Sequence, residues 1–120
     1  EMSRAPMPWD RAAEPAYAAR LALYRDMLRL RREHPVLATG GLRWLYVDDA
    51  AAVFVRESAE ESVLVLATRG AADATIPAVL LPGAEAATAL YGDATVTVTD
   101  AGDVRVRAAG TAFAAWALPV

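Results

Sequence analysis

Two pairs of neighbouring carboxyl side chains, Asp48-Asp49 and Glu60-Glu61, are the first places to look for chemistry. Paired carboxyls can act as general acids, general bases and nucleophiles. Neighbouring residues on a strand point to opposite faces, so neither pair would converge on one substrate from a strand. Both pairs fall in predicted turns, where solvated acidic residues are ordinary. His34 is the single histidine and stands directly before Pro35 at the end of a predicted helix. One imidazole builds no metal site without carboxylate or cysteine partners, and its position suits it to a cap-like role. The chain has no cysteine, which excludes disulfides and thiolate chemistry and fits a cytoplasmic protein. No phosphate loop, zinc-ligand spacing or nucleophile elbow is present. No metal, cofactor or catalytic residue is expected within these 120 residues.

The elements that carry these side chains change character along the chain. Residues 1–13, with Pro6 and Pro8, read as an extended loop, because proline fixes its own φ and biases the residue before it away from helix. A helix is predicted from Glu14-Pro15 to Glu33. Tyr17, Leu21, Tyr24, Leu28 and Arg31 recur at spacings of four, three, four and three, and Ala18, Met27 and Leu30 widen that stripe. Arginines in the last turns complement the negative end of the helix dipole, and Pro35 stops the helix.

Beyond Gly40-Gly41 the hydrophobic period becomes two. Predicted strands are 42–47, 52–56, 62–67, 74–76, 87–91, 95–99, 104–107 and 111–118. Ser62–Ala67 is apolar on both faces and should be central and covered. Pro77 demotes the strand before it to an edge. Thr95–Arg107 reads as the clearest hairpin, with valines on one face and threonines and arginines on the other, solvated face. Val63, Val65, Val96, Val98, Val104, Val106 and Phe113 are expected inside. Trp44, Tyr46, Phe54 and Trp116 alternate along strands and are likewise expected in the core. The fold class is mainly β, an antiparallel sandwich preceded by one amphipathic helix.

The composition sets further bounds. The net charge of −3 argues against a nucleic-acid partner, and no run of roughly 18 apolar residues marks a membrane span. Pro6, Pro8 and Asp10 interrupt any signal-peptide core, and Met2 behind Glu1 is not the expected pattern of a native start.

Arg4-Ala5-Pro6-Met7-Pro8-Trp9-Asp10, followed by Leu28-Arg29-Leu30-Arg31 and Pro35-Val36-Leu37, resembles the end of the α-amylase family of glycoside hydrolases. The resemblance implies that residues 1–37 are the last loop and helix of a (β/α)8 barrel and that residues 38–120 are a C-terminal β-sandwich domain. The chain would then be part of a glycosidase acting on α-glucosidic bonds of oligosaccharides, with an α-glucan or α-glucoside as its partner. Retaining hydrolysis needs two carboxyls about 5 Å apart, and nothing here matches the family's catalytic carboxylate motifs, so the chain alone should be inactive. In the intact enzyme Arg4 would line the pocket for the terminal sugar, where a planar guanidinium can grip vicinal hydroxyls. Trp9 would stack on a sugar or anchor its loop, and Asp10 would hold Arg4 or cap a turn. Pro8 departs from the glutamine frequent in oligo-1,6-glucosidase and trehalose synthase relatives, and Thr68 follows a strand that often ends in asparagine. A helix stripe without its barrel would be exposed and suits a homodimer through residues 14–33. The alternative is a stand-alone carbohydrate-binding or interaction module with Trp44 or Trp116 as an exposed platform.

Overall fold

A computed structural model describes residues 15–119. The chain divides into two compact units, Glu1–His34 and Pro35–Val120.

In the first unit, helix α1 spans Pro15–Glu33. Proline suits the first helical turn because its missing N–H would have had no intrahelical partner. Arg31 and Arg32 occupy the last turn, where their charge opposes the helix dipole. Asp26 and Arg29 form an ion pair of 3.1 Å one turn apart on the exposed side. The helix ends where the sequence predicts, and the His34 N–H donates to the Leu30 carbonyl at 2.8 Å.

The second unit is an antiparallel β-sandwich, as expected. A short helix, α2 (Val36–Thr39), leads into β1 (Gly41–Val47), β2 (Ala51–Glu57), β3 (Ser62–Thr68) and β4 (Ala72–Pro77). Two 3-10 turns, Ala78–Leu80 and Ala84–Ala86, precede β5 (Thr88–Tyr91), β6 (Thr95–Val98), β7 (Asp103–Ala108) and β8 (Ala112–Leu118). The large sheet has the order β1-β2-β3-β8-β5 and the small one β4-β7-β6. β4 is an edge, as Pro77 predicts.

Alternation along each strand builds the core. Val53 and Val55, Leu64 and Leu66, and Trp116 and Leu118 face inward from the large sheet and meet Ala74, Ile76, Val104 and Val106 of the small one. Each fully buried Leu, Ile or Val contributes roughly 1.5–3 kcal/mol of transfer free energy. Leu81 and Ala84, from the loop between β4 and β5, are buried with this cluster. Val63, Val65 and Ala115 point the other way and pack with Val36 of α2, flanked by Phe54, Leu90 and Phe113. β3 is therefore covered on both faces, which explains its unbroken apolar run.

Four expectations about the core need correcting. Trp44 is 57% exposed, whereas Trp116 is 4% exposed. Val98 is 41% exposed although it shares a face with buried Val104, because β6 is a four-residue edge strand whose flank is open. Phe54 and Phe113 are half-buried on the outer face of the large sheet and do not lie between the sheets.

Candidate functional site

The carboxyl pairs are built into turns. Asp48 Oδ1 accepts hydrogen bonds from the backbone N–H groups of Ala50 and Ala51, each at 2.8 Å, and Oδ2 accepts from the Tyr46 hydroxyl at 2.5 Å. The Tyr46 hydroxyl, then the two N–H groups, hold the Asp48 carboxyl below its ordinary value. The same bond to Asp48 raises the Tyr46 phenol. The Asp49 carbonyl accepts from Arg69, and the Thr68 hydroxyl donates to the Ala50 carbonyl at 3.1 Å. This strap joins the β1–β2 and β3–β4 turns. In the β2–β3 turn, Ser58 Oγ accepts from the N–H groups of Glu60 and Glu61, both at 3.2 Å. Both pairs thus sit in the turns that the sequence predicts, where Asp48 and Ser58 organise the backbone.

The small sheet presents a polar face in the predicted arrangement. Register sets Asp73, Arg107 and Thr95 in one row across the strands and Thr75, Arg105 and Thr97 in the next. Asp73 accepts hydrogen bonds from Arg105 and lies 3.7 Å from Nε of Arg107. The Arg105 hydrogen bond keeps the Asp73 carboxyl below its ordinary value against the opposing effect of burial. An open groove of about 540 Å³ runs along this end of the sheet past Asp73, Asp93, Thr95 and Arg107. A second, of about 390 Å³, is lined by the large sheet and the loop after β4, beside the Arg43–Glu57 ion pair. Arg43 and Glu57 are 3.0 Å apart, and Arg43 also donates to the Leu80 carbonyl. Among the described residues no group of three or more metal-ligating side chains comes together. No helix among them is long and apolar enough to cross a membrane.

The aromatic residues behave differently from one another. A β-bulge between Trp44 and Tyr46 shifts the β1–β2 register, pairing Trp44 with Phe54 and Tyr46 with Val53. Tyr46 therefore joins the core, while Trp44 turns to the outer face and meets the Phe54 ring at 5.1 Å with a 59° tilt. Arg56 shares this face, opposite Leu42 in register. Its Nη2 donates to the Gly40 carbonyl at 2.8 Å, and its Nε is buried without a hydrogen-bond partner. Simple alternation concealed this cluster, because one extra residue reverses the facing of everything beyond it. Arg4, Trp9 and Asp10 lie outside the described residues.

No family model and no curated protein matches the chain. Solved structures do. A debranching enzyme from Nostoc punctiforme matches with a TM-score of 0.67 and 18% identity, covering 92% of this chain and 24% of that one. An α-amylase from H. orenii matches with a TM-score of 0.61 and 17% identity, covering 80% of this chain and 20% of that one. Isomaltulose synthase from Erwinia rhapontici NX5 matches with a TM-score of 0.56 and 18% identity, covering 81% of this chain and 17% of that one. The chain thus spans about a fifth of each structure it resembles, and at these identities the likeness is one of fold.

Proposed function

We propose that this chain is the C-terminal accessory part of an α-amylase-family enzyme acting on α-glucosidic bonds of oligosaccharides. The observation that carries this reading is the fold match of nearly the whole chain to about a quarter of a debranching enzyme. The Arg4–Asp10 and Leu28–Leu37 motifs agree with it. On this reading residues 1–37 complete the catalytic barrel and residues 38–120 form the domain behind it. The barrel supplies the two carboxyls that flank the scissile bond, and Arg4, Trp9 and Asp10 complete the rim of the sugar pocket. The parent is cytoplasmic and uses no cofactor. Separated from its barrel, the chain pairs with a second copy through helix 14–33.

The test is to express the full-length parent beside the 120-residue chain and assay glucose release or transfer from maltose, isomaltose and sucrose. Turnover by the parent, abolished by truncating it before Arg4 and absent from the short chain, is expected. A parent that acts on none of these, or a short chain that hydrolyses nitrophenyl α-glucoside through successive columns, would overturn the reading.

A further inference from the structure

We propose that the free edge of β6, Thr95–Val98, pairs with the same edge of a second copy of the chain and joins two small sheets into one. This seam does not depend on the glycosidase reading above.

The sheet orders leave β1 and β5 at the edges of the large sheet and β4 and β6 at those of the small one. Three of these edges carry a device that blunts pairing with another chain. Register shifts interrupt β1 between Trp44 and Tyr46 and β5 between Ala89 and Tyr91, and β4 carries Asp73 and ends in Pro77. β6 keeps one register along its length and consists of threonine and valine, with no charge, glycine or proline. Both residue types favour strands. The Thr99 N–H donates to the Asp103 carbonyl at 2.8 Å, which fixes where the other backbone groups point. Bonded pairs alternate along an antiparallel ladder, so Thr97 and Thr95 bond to Arg105 and Arg107 of β7. The N–H and C=O groups of Val96 and Val98 then face the open flank. The turn Ala84–Ala86 comes near β6 but gives it no backbone hydrogen bond. Val98 shares a face with buried Val104 and is still 41% exposed, which marks the position a further strand would cover.

The order of residues selects the occupant. Thr95-Val96-Thr97-Val98-Thr99 reads the same in both directions. An antiparallel neighbour runs the opposite way, so a second copy related by a two-fold axis at Thr97 presents valine to valine and threonine to threonine. Val96 then lies opposite Val98 of the second copy, and each such pair exchanges both of its outward backbone bonds. Thr97 meets its own counterpart at a non-bonded position between them. The valines continue the inner face and cover the open side of Val98, while the threonines continue the polar face. A slip of one residue would reverse that facing, so the register is specified. Any extended strand satisfies free backbone groups, but the two-way pattern is matched by the chain itself. A seam of four residues falls well below the roughly 800 Å² per partner of a stable interface. The pairing is therefore weak, with Kd of about 1 mM, and leaves micromolar association through α1 unaffected.

The test is amide hydrogen exchange of the 120-residue chain, resolved by residue with NMR, between about 0.05 and 2 mM. Exchange at Val96 and Val98 should slow about twofold across that range, as a Kd of about 1 mM requires. Arg105 and Arg107, bonded within the sheet at every concentration, should not change. Association through α1 covers no β6 amide, so the readout separates the two contacts. Thr97→Glu sets like charges opposite each other at the two-fold axis and should abolish the effect at unchanged Tm, because position 97 faces Arg105 within its own sheet. The chain has no cysteine, so Thr97→Cys gives a clean cross-link. Its two copies would lie about 4.5 Å apart at Cα, within disulfide range. Oxidation should link them at least tenfold faster than Thr95→Cys, whose copies are four residues out of register. Exchange at Val96 and Val98 that ignores concentration, or equal cross-linking of the two cysteine variants, would overturn the proposal. Protection of both amides in the full-length parent at about 1 μM would also overturn it, because the parent's own chain would then close the edge.

Discussion

Gly92 carries one of the tightest backbone constraints in the sandwich. Its φ of 90° lies in the left-handed region, and an added Cβ would sit 2.5 Å from the Phe113 carbonyl oxygen and 2.8 Å from the Ala114 side chain. The β5–β6 connection therefore presses against β8 where only glycine fits. Gly92→Ala should cost about 2 kcal/mol or more, read as a Tm lowered by about 10 °C in a thermal melt. The two strand tryptophans give a matched contrast. Trp116 fills the space between the sheets, so Trp116→Ala should cost about 3–5 kcal/mol. Trp44→Ala removes a surface ring and one tilted aromatic contact, so it should cost about 1 kcal/mol or less. Urea midpoints of the two variants measure the difference; equal losses would mean that Trp44 is a core residue after all.

The turns show which elements were legible in the sequence and which were not. β3 declared itself through its doubly apolar run, and β6 and β7 through alternating valines and a turn containing Gly102, whose φ is 86°. α2 and the two 3-10 turns are too short to leave a hydrophobic period. The bulge in β1 defeated the reading of Trp44 because its cause is tertiary: Leu45 and Tyr46 both pack against the core. Asp48 was legible as a turn residue, but its three donors were not. Because its carboxyl is held below the ordinary 3.8, its contribution to stability is complete above that value and is lost as pH falls through the lowered one. Tyr46 has the opposite sign: its raised phenol contributes below the ordinary 10.0 and stops contributing as pH rises through the raised value. Asp48→Asn should therefore flatten the acid limb of stability against pH, and Tyr46→Phe the alkaline limb. Denaturant midpoints measured from about pH 2 to pH 11 check both, and an unchanged acid limb in Asp48→Asn would exclude the turn as its source.

At the scale of the whole molecule the two units have unequal means of support. Both buried apolar clusters are drawn entirely from residues 36–118, so the sandwich carries its own core. Helix α1 has 19 residues, and most of the stability of a protein helix comes from packing its amphipathic face rather than from propensity. Tyr24 and Leu28, one turn apart on its apolar stripe, are exposed, as is Leu23. Residues 35–120 alone should therefore unfold in one cooperative transition seen identically by circular dichroism and by Trp116 fluorescence. The 120-residue chain should in addition associate through α1, with a mass by light scattering that rises between about 1 and 100 μM. Leu28→Lys should return it to a monomer without lowering the sandwich transition, since the substitution lies outside both clusters. If residues 35–120 self-associate as strongly as the longer chain, the helix is not the seam. If they fail to fold, α1 is part of the sandwich core and the 120 residues form one cooperative unit.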